Sequence, residues 1–321
     1  MSVLMSDLIM QKPLISIVSP IYKAKSIIPK LVQEIIDSVR IITADFEIIL
    51  VDDGCPQNSW EVIDIECEKE PRVKGIKLSR NFGQHAAISA GLSEAKGEWI
   101  VVMDCDLQDK PSNIPLFYDA AREGDYDLVV GRKTLRGDNV FRKIESYLFY
   151  KLLGKLSGVN ISNGVGNFGI YKRKVINGLL DLKEEFRSFG VQIVWLGFKR
   201  FELEIKSDER LEGKSSYTLL SKWKLAINTI TSFSSRVLSL IISLGFFVFF
   251  VAFVLLAINL VNVWVSESTV AGWTSIMLSI YLSLGIVISC IGIVGLYVGK
   301  IFSEVKKRPV YIVSEMKVKS H

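Results

Sequence analysis

The chain has 321 residues, 49% of them hydrophobic, with a formal net charge of +5 and a mean hydropathy of +0.32. That length holds one large domain plus something smaller, and the hydropathy is high for a purely soluble enzyme. Two histidines argue against a His-based zinc site, and the basic residues lack the interleaved aromatic pattern that would fit nucleic acid.

In chain order, Leu14–Ser19 reads as an apolar strand and Ile27–Ile41 as an amphipathic helix. Glu47–Val51 is predicted as a second strand, Ser59–Lys69 as a helix, Val73–Leu78 as a third strand and Gln84–Ala95 as the next helix. Trp99–Met103 follows as a strand, then a helix from Pro111 to near Gly124 and a strand at Leu128–Val130. Apolar strands alternating with helices imply an α/β domain with a mostly parallel sheet covered on both faces. Beyond Gly131 the pattern loosens. A helix is predicted over Val140–Leu156, strands at Asn167–Tyr171 and Phe198–Ile205, and a polar segment over Ser207–Ser216.

Tyr217–Ser235 reads as a second amphipathic helix, which either rests in a membrane interface or packs on the preceding domain. Val237–Val265 and Ile276–Val298 are apolar almost throughout, and each reaches the roughly 20 residues that cross a bilayer core. Lys222, Lys224 and Arg236 precede the first run, and Lys300, Lys306, Lys307 and Arg308 follow the second. The loop between them carries Glu267 but no Lys or Arg. The positive-inside rule then places both ends in the cytoplasm, at a bacterial inner or plasma membrane. The expected organisation is a cytoplasmic domain over residues 1–216, a juxtamembrane helix over 217–235, a two-helix transmembrane hairpin within 236–301 and a cytoplasmic tail over 302–321. Asp7 interrupts the short N-terminal apolar stretch, so no signal peptide is expected. Cys55, Cys67, Cys105 and Cys290 show no C-x-x-C spacing and are expected as free thiols.

Asp104-Cys105-Asp106-Leu107-Gln108-Asp109 stands directly after the Trp99–Met103 strand. Alternate residues of a strand share a face, and open α/β sheets bind ligands beyond the carboxyl ends of their strands. Two hard oxygen ligands there suit Mg²⁺ or Mn²⁺ carrying a diphosphate; a solvated acidic loop is the other reading. Asp52-Asp53-Gly54 closes the second strand. It reads either as a set of acceptors for base and ribose hydroxyls or as a plain turn.

Ser19-Pro20-Ile21-Tyr22, Val51-Asp52-Asp53-Gly54, Leu78-Ser79-Arg80-Asn81-Phe82-Gly83 and Asp104-Cys105-Asp106-Leu107-Gln108 occur in order at suitable spacing. Together they resemble glycosyltransferase family 2, in the polyprenyl-phosphate branch of dolichyl-phosphate mannose synthase-like and GtrB-like enzymes, and the likeness spans nearly the whole chain. The resemblance implies a GT-A fold, a divalent metal (Mg²⁺ or Mn²⁺) and an inverting transfer of one sugar. It implies that Asp106 and Gln108 hold the metal, with Asp104 facing the nucleotide-sugar or the metal, and Asp104 and Asp106 at the reacting centre. Pro20, Tyr22, Asp52 and Asp53 would line the base and ribose pocket, and Arg80 would reach the diphosphate unless it forms a structural ion pair. Arg132, Arg142 with Ser146, and Arg210 with Lys214 and Ser215 would bind the phosphate of a lipid acceptor. A helix would put Arg142 and Ser146 on one face, and guanidinium groups grip phosphate bidentately.

Three departures from the family pattern stand out. Its P-x-Y-N-E start reads Pro20-Ile21-Tyr22-Lys23-Ala24, Cys55 and Gln57 replace a Ser and an Asp, and G-D-F-R-L reads Gly166-Asn167-Phe168-Gly169-Ile170. Asn167 can orient a sugar hydroxyl but cannot take a proton, and the last departure points to a different sugar pocket. The reaction implied is transfer from a nucleotide-sugar, UDP- rather than GDP-linked, to undecaprenyl or another polyprenyl phosphate at the cytoplasmic membrane face. A processive polysaccharide synthase would need a Q-x-x-R-W motif, and Gln192-Ile193-Val194-Trp195-Leu196 lacks the Arg. A catalytically inactive membrane scaffold would need neither the metal nor the phosphate set. Gly285, Gly292, Gly295 and Gly299 offer a small-residue face through which a homo-oligomer could form.

Overall fold

The computed structural model describes residues 13–133, 165–182, 188–205 and 273–318, with single positions between 243 and 254. The described residues up to 205 and from 308 onward form one compact unit; the helix at 273–305 belongs to another.

The first unit is built on β1 (Ile15–Ile21), β2 (Phe46–Asp52), β3 (Val73–Leu78), β4 (Trp99–Val102), β5 (Leu128–Lys133), β6 (Val165–Lys172), β7 (Arg200–Ile205) and β8 (Val313–Lys317). They form one sheet in the order β7-β5-β6-β4-β1-β2-β3-β8. β1 pairs in parallel with both β2 and β4, and β2 with β3. β5 and β7 are also parallel, while β6 runs antiparallel to β4 and β5, and β8 antiparallel to β3. The GT-A expectation of a mostly parallel α/β sheet holds. β1 and β2 are buried at every position, as strands covered on both faces must be. One face packs on α1 (Ile28–Val39), α2 (Ser59–Lys69) and α4 (Ile114–Glu123). The other packs on α3 (Gln84–Glu94), α5 (Arg173–Asp181) and α6 (Phe189–Trp195).

The sheet places one acid in its interior. Glu47 is 4% exposed, yet its carboxylate accepts from the Ser16 hydroxyl at 2.6 Å, the Lys96 amide at 2.6 Å and the Lys74 ammonium at 2.6 Å. Buried charge is tolerated when it is paired and hydrogen-bonded in this way.

β1 is where the strand order reverses: β2 and β3 follow on one side and β4 lies on the other. Such a switch point opens a crevice at the carboxyl ends of the two central strands, here those of β1 and β4.

The C-terminal region differs from expectation. The expected tail boundary at residue 302 falls inside α7 (Trp273–Val305), and Val313–Lys317 adds a strand to the sheet. Glu315 accepts from Lys77 at 2.5 Å and from the Trp60 indole at 3.0 Å, and Lys317 pairs with Asp64 at 2.8 Å. Side chains of β8 stay largely exposed, so no core pattern marks this strand in the sequence. Within α7, Ile286–Val305 is long and apolar enough to cross a membrane. Most of the first expected span (237–265) and the expected helices at 140–156 and 217–235 lie outside the described residues.

Candidate active site

The switch point gathers most of the singled-out residues on one edge of the sheet. β1 delivers Pro20 and then Tyr22, which is 42% exposed. Ile21 is in register with Asp52, and the Asp53 amide donates to the Ile21 carbonyl at 3.1 Å. β4 leads directly into Asp104. β6 is antiparallel to β4 with Val102 opposite Gly169, so Asn167 precedes that pair on β6 as Asp104 follows it on the β4 side. Arg132 pairs with Val165 and is exposed at the same edge. Arg80 follows the end of β3. Arg142, Ser146, Arg210, Lys214 and Ser215 lie outside the described residues.

Asp52, the last residue of β2, and Asp53 directly after it are both 2% exposed and hold backbone in place. Asp52 Oδ1 accepts from the Cys55 amide at 2.9 Å. Asp53 uses both oxygens, taking the Phe82 amide at 2.7 Å and the Gly83 amide at 3.0 Å. Gly83 caps α3, so Asp53 ties the R-N-F-G turn and the start of α3 to the end of β2. Burial raises the pKa of both carboxyls, opposed by those amide donors and, at Asp52, by Lys77. Gly54 completes the junction: at φ +61°, a Cβ on it would lie 2.5 Å from both the Arg80 carbonyl carbon and the Asn81 nitrogen.

Arg80 stacks on Phe82, 4.1 Å from the ring centre, and donates to the Asn81 carbonyl at 3.0 Å. Among the described residues it makes no salt bridge within 4.0 Å, while against the rise from burial its charge lowers the pKa of the nearby Asp53 carboxyl. Its guanidinium is exposed and pre-oriented by its own turn.

Asp104 and Asp106, after β4, are half-buried. Asp106 Oδ1 accepts the Gln108 amide at 3.1 Å, and the turn between them puts Leu107 at φ +55°. A branched residue rarely adopts that conformation; burial of the Leu107 side chain to 6% exposure holds it. The same turn keeps Asp106 and Gln108 adjacent. Asp104 Oδ1 accepts from the Gln84 carboxamide at 2.6 Å, which links the acid to the first residue of α3. Gln84 was not among the residues singled out from the sequence. Its signal was its place directly after Gly83, where a helix begins at the carboxyl edge.

No group of three or more His, Cys, Asp or Glu that could hold a metal occurs among the described residues. Two carboxylates and one carboxamide nevertheless fit Mg²⁺ or Mn²⁺, which bind through one or two carboxylates and complete their shell with water and substrate phosphate. The donor set suits a metal that arrives with a diphosphate.

The family's missing Arg at Gly169 has a structural counterpart. A Cβ there would meet the Val129 carbonyl oxygen at 2.6 Å and the Tyr171 hydroxyl at 3.1 Å. The fully buried Tyr171 phenol fills that side of β6, its hydroxyl donating to the Asn167 carbonyl at 3.1 Å. Gly169 therefore faces the core.

His85 Nδ1 accepts the Phe189 amide at 3.3 Å, joining α3 to the start of α6. Burial lowers its pKa from 6.5. The sign follows: the unfolded chain binds the proton more readily, so stability is full above about pH 6.5 and falls as the pH drops below it. His85→Asn keeps an acceptor for Phe189 and cannot titrate. Thermal melts from about pH 7.5 to 5.5 are expected to show a shallower loss of stability for this variant than for the parent.

The sequence profile of glycosyl transferase family 2 matches residues 16–180. The chain is 35% identical over 301 residues to YkcC, an uncharacterized glycosyltransferase of Bacillus subtilis, covering 94% of this chain and 93% of that one. It is 31% identical over 312 residues to the undecaprenyl-phosphate 4-deoxy-4-formamido-L-arabinose transferase of Aeromonas hydrophila, covering 94% of each. Among solved structures, a mannosyltransferase of Pyrobaculum calidifontis in complex with GDP-Man and Mn²⁺ matches with a TM-score of 0.49 at 15% identity, over 69% of this chain and 64% of that one.

Proposed function

This chain belongs to glycosyltransferase family 2, and we propose that it transfers one sugar from a nucleotide-sugar to the phosphate of undecaprenyl phosphate. The observation that carries the reading is the switch-point cluster: Asp104, Asp106 and Gln108 beyond β4, beside Tyr22 beyond β1 and the Asp53-anchored turn that presents Arg80. The acceptor is taken from relatives of nearly equal length that are named for undecaprenyl phosphate.

In this reading Asp104, Asp106 and Gln108 would hold Mg²⁺ or Mn²⁺, and the ion would offset charge on the departing diphosphate. Arg80 adds its own positive charge beside the diphosphate, and Tyr22 stacks against the base of a nucleotide, UDP in preference to GDP. Asn167 orients a sugar hydroxyl. Arg132, with Arg142, Ser146, Arg210, Lys214 and Ser215, receives the acceptor phosphate. That phosphate has a second pKa of about 6, so at neutral pH it is already a dianionic nucleophile. Direct attack on the anomeric carbon then needs alignment more than a strong general base, and it inverts the configuration. Amide-bearing Asn167 in place of an acid is compatible with such chemistry. A C-terminal transmembrane hairpin would keep the domain at the cytoplasmic face, where the lipid phosphate lies.

Incubation of the full chain with Mg²⁺, undecaprenyl phosphate and a panel of nucleotide-sugars tests the proposal. A sugar-bearing lipid in the organic extract with at least one donor is the expected result. No such lipid from any donor, with either Mg²⁺ or Mn²⁺, contradicts it.

A further inference from the structure

Cys55 lies against the loop that carries Tyr22: the Lys23 amide donates to Cys55 Sγ at 3.1 Å. The Ser59 hydroxyl also donates to Cys55 Sγ, at 3.0 Å. Lys23 has φ +54°, a conformation that a non-glycine residue keeps only where its surroundings over-determine it. The side chains of Tyr22 and Lys23 are both exposed, so side-chain packing does not hold this loop; the Lys23 amide does. The Lys23 ammonium lies over the Tyr22 ring, 5.3 Å from its centre, and so the Lys23 backbone also governs what surrounds the ring. Lys23 and Cys55 are both departures from the family pattern, and they touch each other.

We infer that Cys55 is a positioning residue of the donor site: its sulfur fixes the left-handed backbone at Lys23 and thereby holds the Tyr22 ring where a nucleobase stacks. The inference rests on the nucleotide-sugar reading above. Cys55 is 8% exposed. Burial disfavours its thiolate, but donors from Ser59, Gln57 and Lys23 outweigh that and lower its pKa, consistent with a sulfur serving as acceptor.

Calorimetric binding of UDP and GDP to the full chain in detergent with Mg²⁺ tests the inference, with a thermal melt of each variant. Cys55→Ala is expected to weaken nucleotide binding roughly fivefold, the scale of one lost hydrogen bond. Cys55→Ser keeps an acceptor and stays near the parent value. Lys23→Gly combined with Cys55→Ala recovers most of the loss, because glycine holds a positive φ unaided; simple loss of packing at Cys55 would give no such recovery. Unchanged affinity in Cys55→Ala, or strictly additive effects in the double variant, overturns the inference while leaving the donor site intact. A parent chain that binds neither nucleotide overturns the donor-site reading itself. If Cys55→Ala does not fold, the alkylation rate of Cys55 in the parent, followed by peptide mass spectrometry, decides: protection by UDP is expected, and none refutes the role.

Discussion

Replacing Asp106 by alanine is expected to lower sugar transfer by about 10³-fold, the scale seen when one charge-stabilising group is removed from a reacting centre, while leaving the fold intact. Asp106 is half-buried at the edge of the sheet, and its carboxylate accepts the Gln108 amide at 3.1 Å. Loss of one such bond costs about 1 kcal/mol, so the melting temperature should move by only a few degrees. The large loss is thus predicted in turnover and in metal-dependent nucleotide binding, with little in stability. Asp106→Asn separates the two contributions, since it can still accept from Gln108 but lacks the charge a divalent cation requires. Steady-state rates over a titration of Mn²⁺ would check this. Turnover equal to the parent in Asp106→Ala would remove Asp106 from the site.

The second large effect is expected at Gly54, and it should appear in stability first. Gly54→Ala must place a methyl group 2.5 Å from two backbone atoms, the Arg80 carbonyl carbon and the Asn81 nitrogen, at φ +61°. Neither neighbour is the flexible end of a side chain, so the R-N-F-G turn itself has to shift. The left-handed backbone alone costs about 1–2 kcal/mol for an alanine, and with displacement of the turn the loss should reach about 2–4 kcal/mol. The shift would also strain the bonds from Phe82 and Gly83 to Asp53. KM for the donor should therefore rise more than KM for the lipid, because the turn carries Arg80 and starts α3. Denaturant melts together with separate donor and acceptor titrations would measure both effects. A stability within experimental error of the parent would mean that the turn is not locked against β2.

β1 to β5 and α1 to α4 were legible because their burial is written in periodicity. A strand covered on both faces needs an apolar run, and a helix over it needs an apolar stripe. The position of the D-x-D acids was legible for a related reason: acids directly after a buried strand have few places to go except the carboxyl edge. β8 was not legible, because Val313-Ser314-Glu315-Met316-Lys317 is an exposed edge strand held by Lys77, Trp60 and Asp64, residues far away in the sequence. Nor could sequence separate the tasks of Asp52 and Asp53. Both read equally as ligand acceptors or as part of a turn, until the structure commits both oxygens of Asp53 to the Phe82 and Gly83 amides. Gln84 reads as an ordinary first helical residue, and only three-dimensional proximity reveals its 2.6 Å contact with Asp104. Gly169 looked like an altered sugar contact, but the space its side chain would need is taken by Val129 and Tyr171.

The central claim is that the lipid phosphate oxygen attacks the sugar and the nucleotide leaves with its diphosphate. The most direct test is the phosphorus count of the lipid product, read by high-resolution mass spectrometry after incubation with undecaprenyl phosphate, Mg²⁺ and the active donor. The account predicts a product equal to undecaprenyl phosphate plus one sugar residue, with a single phosphorus, and release of the nucleoside diphosphate. A lipid carrying two phosphorus atoms with release of the nucleoside monophosphate would contradict it, because the donor would then have been attacked at phosphorus.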